Sequence, residues 1–320
     1  MLKLENLELL KKRKNLLAFS AGVDSSALLF LLLEQNITFD IAFVNYGLRE
    51  QSKEEEAYAK ELAERYKLKV HITHAPKFKN NFEKNARDFR YAFFDGLMKE
   101  YENLLTAHQL NDQLEWFLMR LTKGAGTSEL LGLETLSQRE EYTLLRPLLR
   151  HSKRELLNYL KVHQYHYFVD ESNIDEKYER NYFRNNFSDR LLEEYKEGIE
   201  KSFSYLREEK KILNQGIKEL FHEKEFYLLT YAQKHQVVRV VDSYLKKLGY
   251  LLSASQRAEL KKENALVFGG LWAVEILESS VFIAPYRTSP MSKKFKERCR
   301  VKKIPPKVRA YLFEENINIF

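Results

Sequence analysis

Leu16-Leu17-Ala18-Phe19-Ser20-Ala21-Gly22-Val23-Asp24-Ser25-Ser26 runs directly into an apolar stretch over 27–33. The segment reads as a buried strand, a turn of small residues and then a helix. Ser20, Ala21 and Gly22 keep bulk away, so backbone N–H groups at the helix start can approach an anion. Ser25 and Ser26 add hydroxyl donors, and Asp24 sets a carboxylate where a phosphate-bound Mg²⁺ would lie. An ordinary strand–turn–helix with a Ser/Asp cap fits the local chemistry equally well. No Gly-Lys-Ser/Thr follows, so this is not a Walker loop, and the Gly-x-Gly-x-x-Gly dinucleotide fingerprint is absent.

With 320 residues, 44% of them hydrophobic and 31% charged, the chain has material for two or three globular domains. No apolar run is long enough to span a bilayer, and residues 1–14 are charged and amphipathic, without the apolar region of a signal peptide. Cys299 is the only cysteine, which excludes an internal disulfide framework and points to a cytoplasmic setting. The net charge of +7 is concentrated near the end: residues 286–310 hold ten Lys/Arg and one acid. Such a segment suits a phosphate backbone, though a solvated basic tail has the same composition.

The first half alternates strand-like runs (15–19, 39–44, 69–74, 103–106) with helical patterns (25–34, 52–66, 82–101), the signature of an α/β fold with a parallel sheet. Ligands of such sheets lie beyond the carboxyl ends of the strands, where the 20–25 turn falls. From 191 to 248 the pattern is helical, rich in Leu, Tyr, Glu and Lys; one more amphipathic helix and short strand-like runs follow 253. The predicted division is 1–190 for a catalytic domain, 191–250 for a helical linker that contacts nucleic acid, and 251–320 for a small basic α+β module.

A second informative stretch is Leu105-Thr106-Ala107-His108-Gln109-Leu110-Asn111-Asp112-Gln113-Leu114-Glu115. A helix beginning near Gln109 sets His108, Asp112 and Glu115 on one face. A histidine with two carboxylates can bind a hard cation or move protons, and it can equally be a self-satisfied polar helix face. Arg120 and Lys123 then precede the Gly124-Ala125-Gly126 turn, which suits either a phosphate contact or a plain helix C-cap.

These stretches resemble those of a known group. The first loop is similar to the Ser-Gly-Gly-x-Asp-Ser loop of the N-type ATP pyrophosphatases (PP-loop enzymes, with an adenine-nucleotide alpha-hydrolase-like fold). The Thr-Ala-His-x-x-Asp-Asp-Gln-x-Glu block, a Lys/Arg-Gly-x-Gly turn and Arg-Pro-Leu-Leu occur in this order in the tRNA(Ile)-lysidine synthetases. Here they stand as 106–115, 123–126 and Arg146-Pro147-Leu148-Leu149. Ala86-Arg87-Asp88-Phe89-Arg90-Tyr91, Asp170-Glu171-Ser172-Asn173 and Arg180-Asn181-Tyr182-Phe183-Arg184 also resemble that family's signatures. So does the basic end, with Lys293, Lys294, Lys296 and Arg309. Two positions depart from the pattern. Asn111 stands where the family has its first Asp, and Ala21 stands where the loop has Gly.

The resemblance implies ATP and Mg²⁺ as cofactors, and free L-lysine and a CAU-anticodon tRNA(Ile) as partners, with no membrane; a homodimer is left open. ATP would adenylate the C2 oxygen of the wobble cytidine, and the lysine ε-amine would then displace AMP. On this reading Ser20, Ala21, Gly22, Val23, Asp24 and Ser25 bind ATP, and Asp24 also meets the metal. Asp112 takes a proton from the amine or positions it; His108 belongs to the same catalytic face. Glu115 binds the lysine ammonium or Mg²⁺, and Arg180 (or Arg184) steadies the adenylate or the tRNA phosphate near it. Arg87, Arg90, Arg184, Lys293, Lys294, Lys296 and Arg309 contact tRNA. The basic last module is expected to be shorter than in longer members. A tRNA thiolase of the same superfamily would need a cysteine pair, which Cys299 alone cannot supply. A non-catalytic tRNA-binding derivative would explain Ala21 and Asn111, but not the intact Asp24, Asp112 and Glu115.

Overall fold

A computed structural model describes residues 2–48, 50–169 and 179–319. The chain divides into two units, Met1–Arg207 and Glu208–Phe320. The first opens with α1 (Leu7–Lys12), β1 (Asn15–Phe19), α2 (Val23–Glu34), β2 (Phe39–Asn45), α3 (Gln51–Tyr66) and β3 (Val70–His74). It continues with α4 (Phe82–Leu97), β4 (Asn103–Leu105), α5 (Leu110–Leu121), α6 (Thr127–Leu130), β5 (Leu136–Gln138) and β6 (Thr143–Leu145). Three helices follow: α7 (Lys153–Val162), α8 (Glu179–Phe183) and α9 (Asp189–Asn214), with a π-helical turn, Arg184–Ser188, between the last two.

The strands form one sheet in the order β3-β2-β1-β4-β6-β5. All neighbours are parallel except β5, which pairs antiparallel with β6. After Asn15, β1 is apolar because both of its faces are covered. Leu16 packs with Phe94 of α4 and with Met98, the C-cap of that helix, whereas Leu17 and Phe19 join the cluster that holds α2 and α7. α2 shows no strong polar face for the same reason: its residues from Ser25 to Leu32 are buried. The chain runs from β1 out to β2 on one side, and β4 lies on the other. That reversal opens a crevice at the carboxyl ends of β1 and β4. The loops after these two strands therefore meet across it.

The second unit is an antiparallel sheet in the order β7-β8-β11-β10-β9. Its elements are β7 (Lys218–Glu223), β8 (Phe226–Thr230), α10 (Val237–Lys247), α11 (Ala254–Glu259), β9 (Ala265–Phe268), β10 (Trp272–Leu277), β11 (Ser280–Pro285), α12 (Lys293–Val301) and α13 (Arg309–Glu314). Val240, Val241 and Leu245 of α10 cover one face, with Leu229, Val274 and Ile283. Cys299, Tyr311 and Leu312 cover the other, with Phe226, Ala273 and Phe282.

The structure corrects the expected helical linker over 191–250: α9 ends at Asn214, and residues 218–223 and 226–230 are strands of the second sheet. Gly216, at φ +84°, breaks the helical path, and Phe226-Tyr227-Leu228-Leu229-Thr230 is β-prone and largely buried. The exposed, charged β7 hid the change, because an edge strand facing water carries the same residues as a helix surface. The expected helix over 82–101 stops at Leu97, and β5, β6 and α7 were not anticipated.

Candidate active site

The crevice holds a cavity of about 720 Å³ bordered by the 20–25 loop, the 106–108 segment, α4, α7 and the helices after residue 179. Local chemistry shapes the loop. The Ser25 hydroxyl accepts from the Ser20 N–H at 3.2 Å, lies 3.1 Å from the Ser20 hydroxyl, and reaches the Gly22 carbonyl at 3.2 Å. Ala21 adopts φ +58°, yet it is fully buried in the core cluster and its carbonyl accepts from the Phe168 N–H at 2.9 Å. Its methyl group does not border the cavity. The approach to Gly22 and Val23 at the α2 N-terminus is thus unobstructed by the substitution.

Asp24 follows at the first turn of α2 and borders the cavity. Its Oδ1 is buried without a hydrogen-bond partner. Burial, reinforced by the Asp112 charge, pushes its carboxyl up to about 7, although Lys153 and Arg184 oppose the shift. An orphaned carboxylate oxygen beside a second carboxylate fits a hard cation that keeps most of its own waters. Among the described residues no group of three or more His, Cys, Asp or Glu gathers into a self-sufficient metal cage.

Across the crevice, α5 starts at Leu110, one residue after the start expected near Gln109. Gln109 is the N-cap, and its N–H donates to Asp112 Oδ2 at 2.9 Å while its side chain accepts from the Asn111 N–H at 2.6 Å. The capping interaction fixes the Asp112 rotamer with its other oxygen toward the site. Arg180 from α8 donates Nη2 to Asp112 Oδ1 at 2.5 Å and Nε to Glu115 Oε2 at 2.7 Å. Arg184 donates Nε to Glu115 Oε1 at 2.7 Å. Burial works to raise Asp112, but Arg180, His108 and the Gln109 N–H together hold it below the usual range. Burial and Asp112 push Glu115 upward. Burial alone would lower Arg180, and the two carboxylates outweigh it and raise it. His108 is bonded through Nδ1 to the Thr106 hydroxyl at 3.0 Å, and burial pushes its imidazole down to about 4, so it is neutral near pH 7.

The expected residues are brought together unevenly. Ser20, Gly22, Val23, Asp24, Ser25, Arg90, His108, Asp112, Arg180 and Arg184 all border the cavity. Glu115 has 0% side-chain exposure and meets the site only through the two arginines, which leaves no room there for a lysine ammonium. Arg184, expected on a tRNA-contacting face, is 14% exposed and is held by Glu115. Arg87 is exposed on α4, stacked 5.6 Å from the Tyr91 ring. Arg120 stacks 4.3 Å from the Trp116 ring and Lys123 pairs with Glu179 at 2.7 Å, so the 120–126 segment is a helix terminus with its basic groups engaged. In the second unit Lys293, Lys294 and Lys296 are exposed on α12, whereas Arg309 donates to the Ile304 carbonyl, at 2.8 Å from Nε. The Asp170–Asn173 signature lies outside the described residues.

Two residues escaped the sequence reading. Lys153, at the start of α7, borders the cavity. The Ser152-x-x-Glu155 capping box that starts this helix was the available signal. Asn111 also proves purposeful: its Nδ2 donates to Asp189 Oδ1 at 2.6 Å and its Oδ1 accepts the Lys153 N–H at 3.1 Å. It ties α5 to the starts of α7 and α9, and no motif announced Asp189.

Comparison with known proteins agrees with this geometry. Residues 2–191 match the PP-loop domain family. The tRNA(Ile)-lysidine synthase of Campylobacter jejuni (strain RM1221) is 48% identical, covering 98% of this chain and 97% of its own. That of Wolinella succinogenes is 45% identical over 99% and 98%, and that of Helicobacter pylori (strain 26695) is 42% identical over 97% and 92%. The U34-tRNA thiolase NcsA from Methanococcus maripaludis, solved with its [4Fe-4S] cluster, superposes with a TM-score of 0.51 at 18% identity. It covers 64% of this chain and 76% of its own, and shares the fold. With close to half its residues shared along nearly its whole length, and the loop and carboxylates of a PP-loop site at one crevice, the chain belongs to the tRNA(Ile)-lysidine synthase family, whose members are ligases.

Proposed function

We propose that this cavity joins free L-lysine to C2 of the wobble cytidine in a CAU-anticodon tRNA(Ile). ATP adenylates the C2 oxygen with release of pyrophosphate; lysine Nζ then bonds to C2, the C2–O bond breaks, and AMP leaves with that oxygen. The observation that carries the reading is one cavity containing the 20–25 loop, Asp24, Asp112 and Arg180, in a chain 48% identical over 98% of its length to a lysidine synthase.

The division of labour follows from each environment. Backbone N–H groups at the start of α2 and the Ser20 and Ser25 hydroxyls face the phosphates. Asp24 and Asp112 would hold Mg²⁺, which supplies positive charge to phosphate oxygens when bound. Lys153 adds a cation on the same side of the cavity. Arg180, anchored by Glu115, is pre-oriented toward the charge that develops during adenylation and AMP departure. Attack requires a neutral amine, whereas an unperturbed lysine ammonium has a pKa of about 10.4. Asp112, ionised and fixed, suits positioning of that amine rather than full removal of its proton. Neutral His108 stands within the same wall as an acceptor.

Exposed Arg87 and Arg90 on α4 and the α12 lysines are the surfaces offered to tRNA. A cytoplasmic setting suits the single, buried cysteine. The non-catalytic alternative loses its two supports, because the Ala21 methyl faces the core and Asn111 is tied into the helix junction. The direct test is incorporation of labelled lysine into a CAU-anticodon tRNA(Ile) transcript with ATP and Mg²⁺. A transcript with U at the wobble position is the control. Uptake by the first alone supports the reading; uptake by neither, with tRNA bound, refutes it.

A further inference from the structure

Residues 165–169, which follow α7, form a strap against the 20–25 loop. Phe168 donates its N–H to the Ala21 carbonyl at 2.9 Å, and Gly22 and Phe168 form an isolated parallel bridge. The Ser26 hydroxyl is a second donor to that carbonyl, at 3.3 Å. In a trans peptide the N–H points opposite the carbonyl, so capture of the Ala21 carbonyl sets the direction of the Gly22 N–H. Gly22 borders the cavity. Ala21 stands at φ +58°, which an L side chain adopts only at a cost, so these partners have to hold it there.

The strap is in turn held by α3. Tyr58 donates its hydroxyl to the His166 carbonyl at 2.8 Å, and its ring meets those of His166 and Phe168 edge-on, at 5.0 and 5.9 Å. Gln51, two turns earlier on the same helix, donates Nε2 to the Val169 carbonyl at 3.3 Å. Tyr165 anchors the start of the strap by stacking on Phe30 of α2, with ring centroids 3.6 Å apart. Tyr58 is 9% exposed and does not border the cavity. Its hydroxyl is spent on a carbonyl two residues from the N–H that fixes the loop. We propose that Tyr58 is a positioning residue for ATP: through the strap it fixes the Ala21–Gly22 peptide, and with it the backbone N–H that meets a phosphate. The hydroxyl carries the effect, because phenylalanine keeps both ring contacts and loses only the hydrogen bond. The assignment rests on the ATP-loop part of the reading above and adds a residue, outside the cavity, on which that loop depends.

The experiment uses the full chain with Mg²⁺ and α,β-methylene ATP, whose α–β linkage resists cleavage, and measures the Kd by calorimetry. Labelled-lysine incorporation into the CAU-anticodon transcript gives the lysine KM in parallel. Tyr58→Phe is expected to weaken analogue binding about three- to tenfold, the span of one lost hydrogen bond, and to leave the lysine KM within about twofold. Leu62→Val trims a buried residue of the same helix and separates positioning from stability. It should lower the melting temperature at least as far as Tyr58→Phe does, with analogue binding held within about twofold. Unchanged analogue affinity in Tyr58→Phe, or equal weakening by Leu62→Val, overturns the assignment alone. So does a Tyr58→Phe chain that no longer folds, or one whose lysine KM rises as far as its analogue Kd. An unmutated chain that binds the analogue without incorporating lysine refutes the ligation reading and leaves the analogue measurements to decide this one. An unmutated chain that does not bind the analogue overturns the ATP-loop reading and this assignment with it.

Discussion

Asp24→Asn isolates the electrostatic cost stored in the candidate active site. In the ligand-free protein the Asp24 carboxyl is pushed from 3.8 up to about 7, chiefly by burial. A carboxyl whose folded value lies above its unfolded one favours folding least when ionised. Between roughly pH 4 and 7 the unfolded chain has released this proton and the folded chain still holds it, so stability falls as pH rises through that window. Above about pH 7 the loss levels off. With 1.36 kcal/mol per unit, the penalty is about 2 kcal/mol at pH 5 and about 4 kcal/mol at pH 8.

Asparagine removes the titration. It brings its own pH-independent cost, since a buried amide N–H₂ at that place has no guaranteed acceptor. The pH difference is therefore the quantity to read: relative to the original chain, the variant should gain about 2–3 kcal/mol between pH 5 and pH 8. For a unit of this size that corresponds to roughly 5–10 °C in relative melting temperature. Thermal or urea unfolding of both proteins without nucleotide at the two pH values is the assay. Equal differences at both pH values would refute the buried-carboxylate argument. So would a larger gain at pH 5. The same substitution should abolish pyrophosphate release, because the orphaned oxygen is the feature that fits Mg²⁺.

Ala21→Gly should alter stability by less than about 1 kcal/mol, because relief at φ +58° is offset by a lost buried methyl and a more flexible unfolded chain. The KM for ATP should move less than about threefold; a tenfold improvement would mean that the methyl obstructs the phosphates after all. Neutralising Lys293, Lys294 and Lys296 together should weaken tRNA binding and flatten its salt dependence by up to about 0.7 in slope per lost contact. Filter-binding titrations across salt check this, and unchanged affinity assigns α12 another task. Glu115→Gln should destabilise the protein by about 2–4 kcal/mol, since Arg180 and Arg184 lose a buried counter-charge, and should lower turnover more than it raises the KM for lysine. A stable variant with only a higher lysine KM would restore Glu115 to the ammonium-binding role.

The sequence carried the first unit well where local chemistry and tertiary context agree. β1 was bounded residue for residue, because an apolar run followed by Ser-Ala-Gly has few other solutions. The second sheet was harder. β7 lies at an edge and sets Leu220-Phe221 between Lys-Glu and His-Glu, with no alternation, so its pattern resembles the preceding helix, and Gly216 was the local sign of the turn. Short strands such as β6, three residues long, carry too little periodicity to stand out.

Within the site, the motifs named the acids but not their tasks. Spacing alone set His108, Asp112 and Glu115 on one helix face, whereas His108 lies just before the Gln109 cap of α5. The arginine partners of the two carboxylates come from 65 to 69 positions further along the chain, a separation that no local pattern reports. Once those partners are in place, environment separates the carboxylates. Glu115, sealed between two guanidiniums, is a counter-ion that aims them. Asp112, capped by a backbone N–H and bound by Arg180, is a fixed negative charge. Asp24, with an unpaired buried oxygen, is unstable as an anion until a cation arrives. Asp189, which accepts from the Asn111 amide, fixes the start of α9 against α5. Asn111 explains that last arrangement. A carboxylate there would face Asp189 across a hydrogen-bond distance, and two like charges so close would drive one to hold a proton. The amide instead donates to Asp189, so the departure from the family pattern ties α5 to the start of α9.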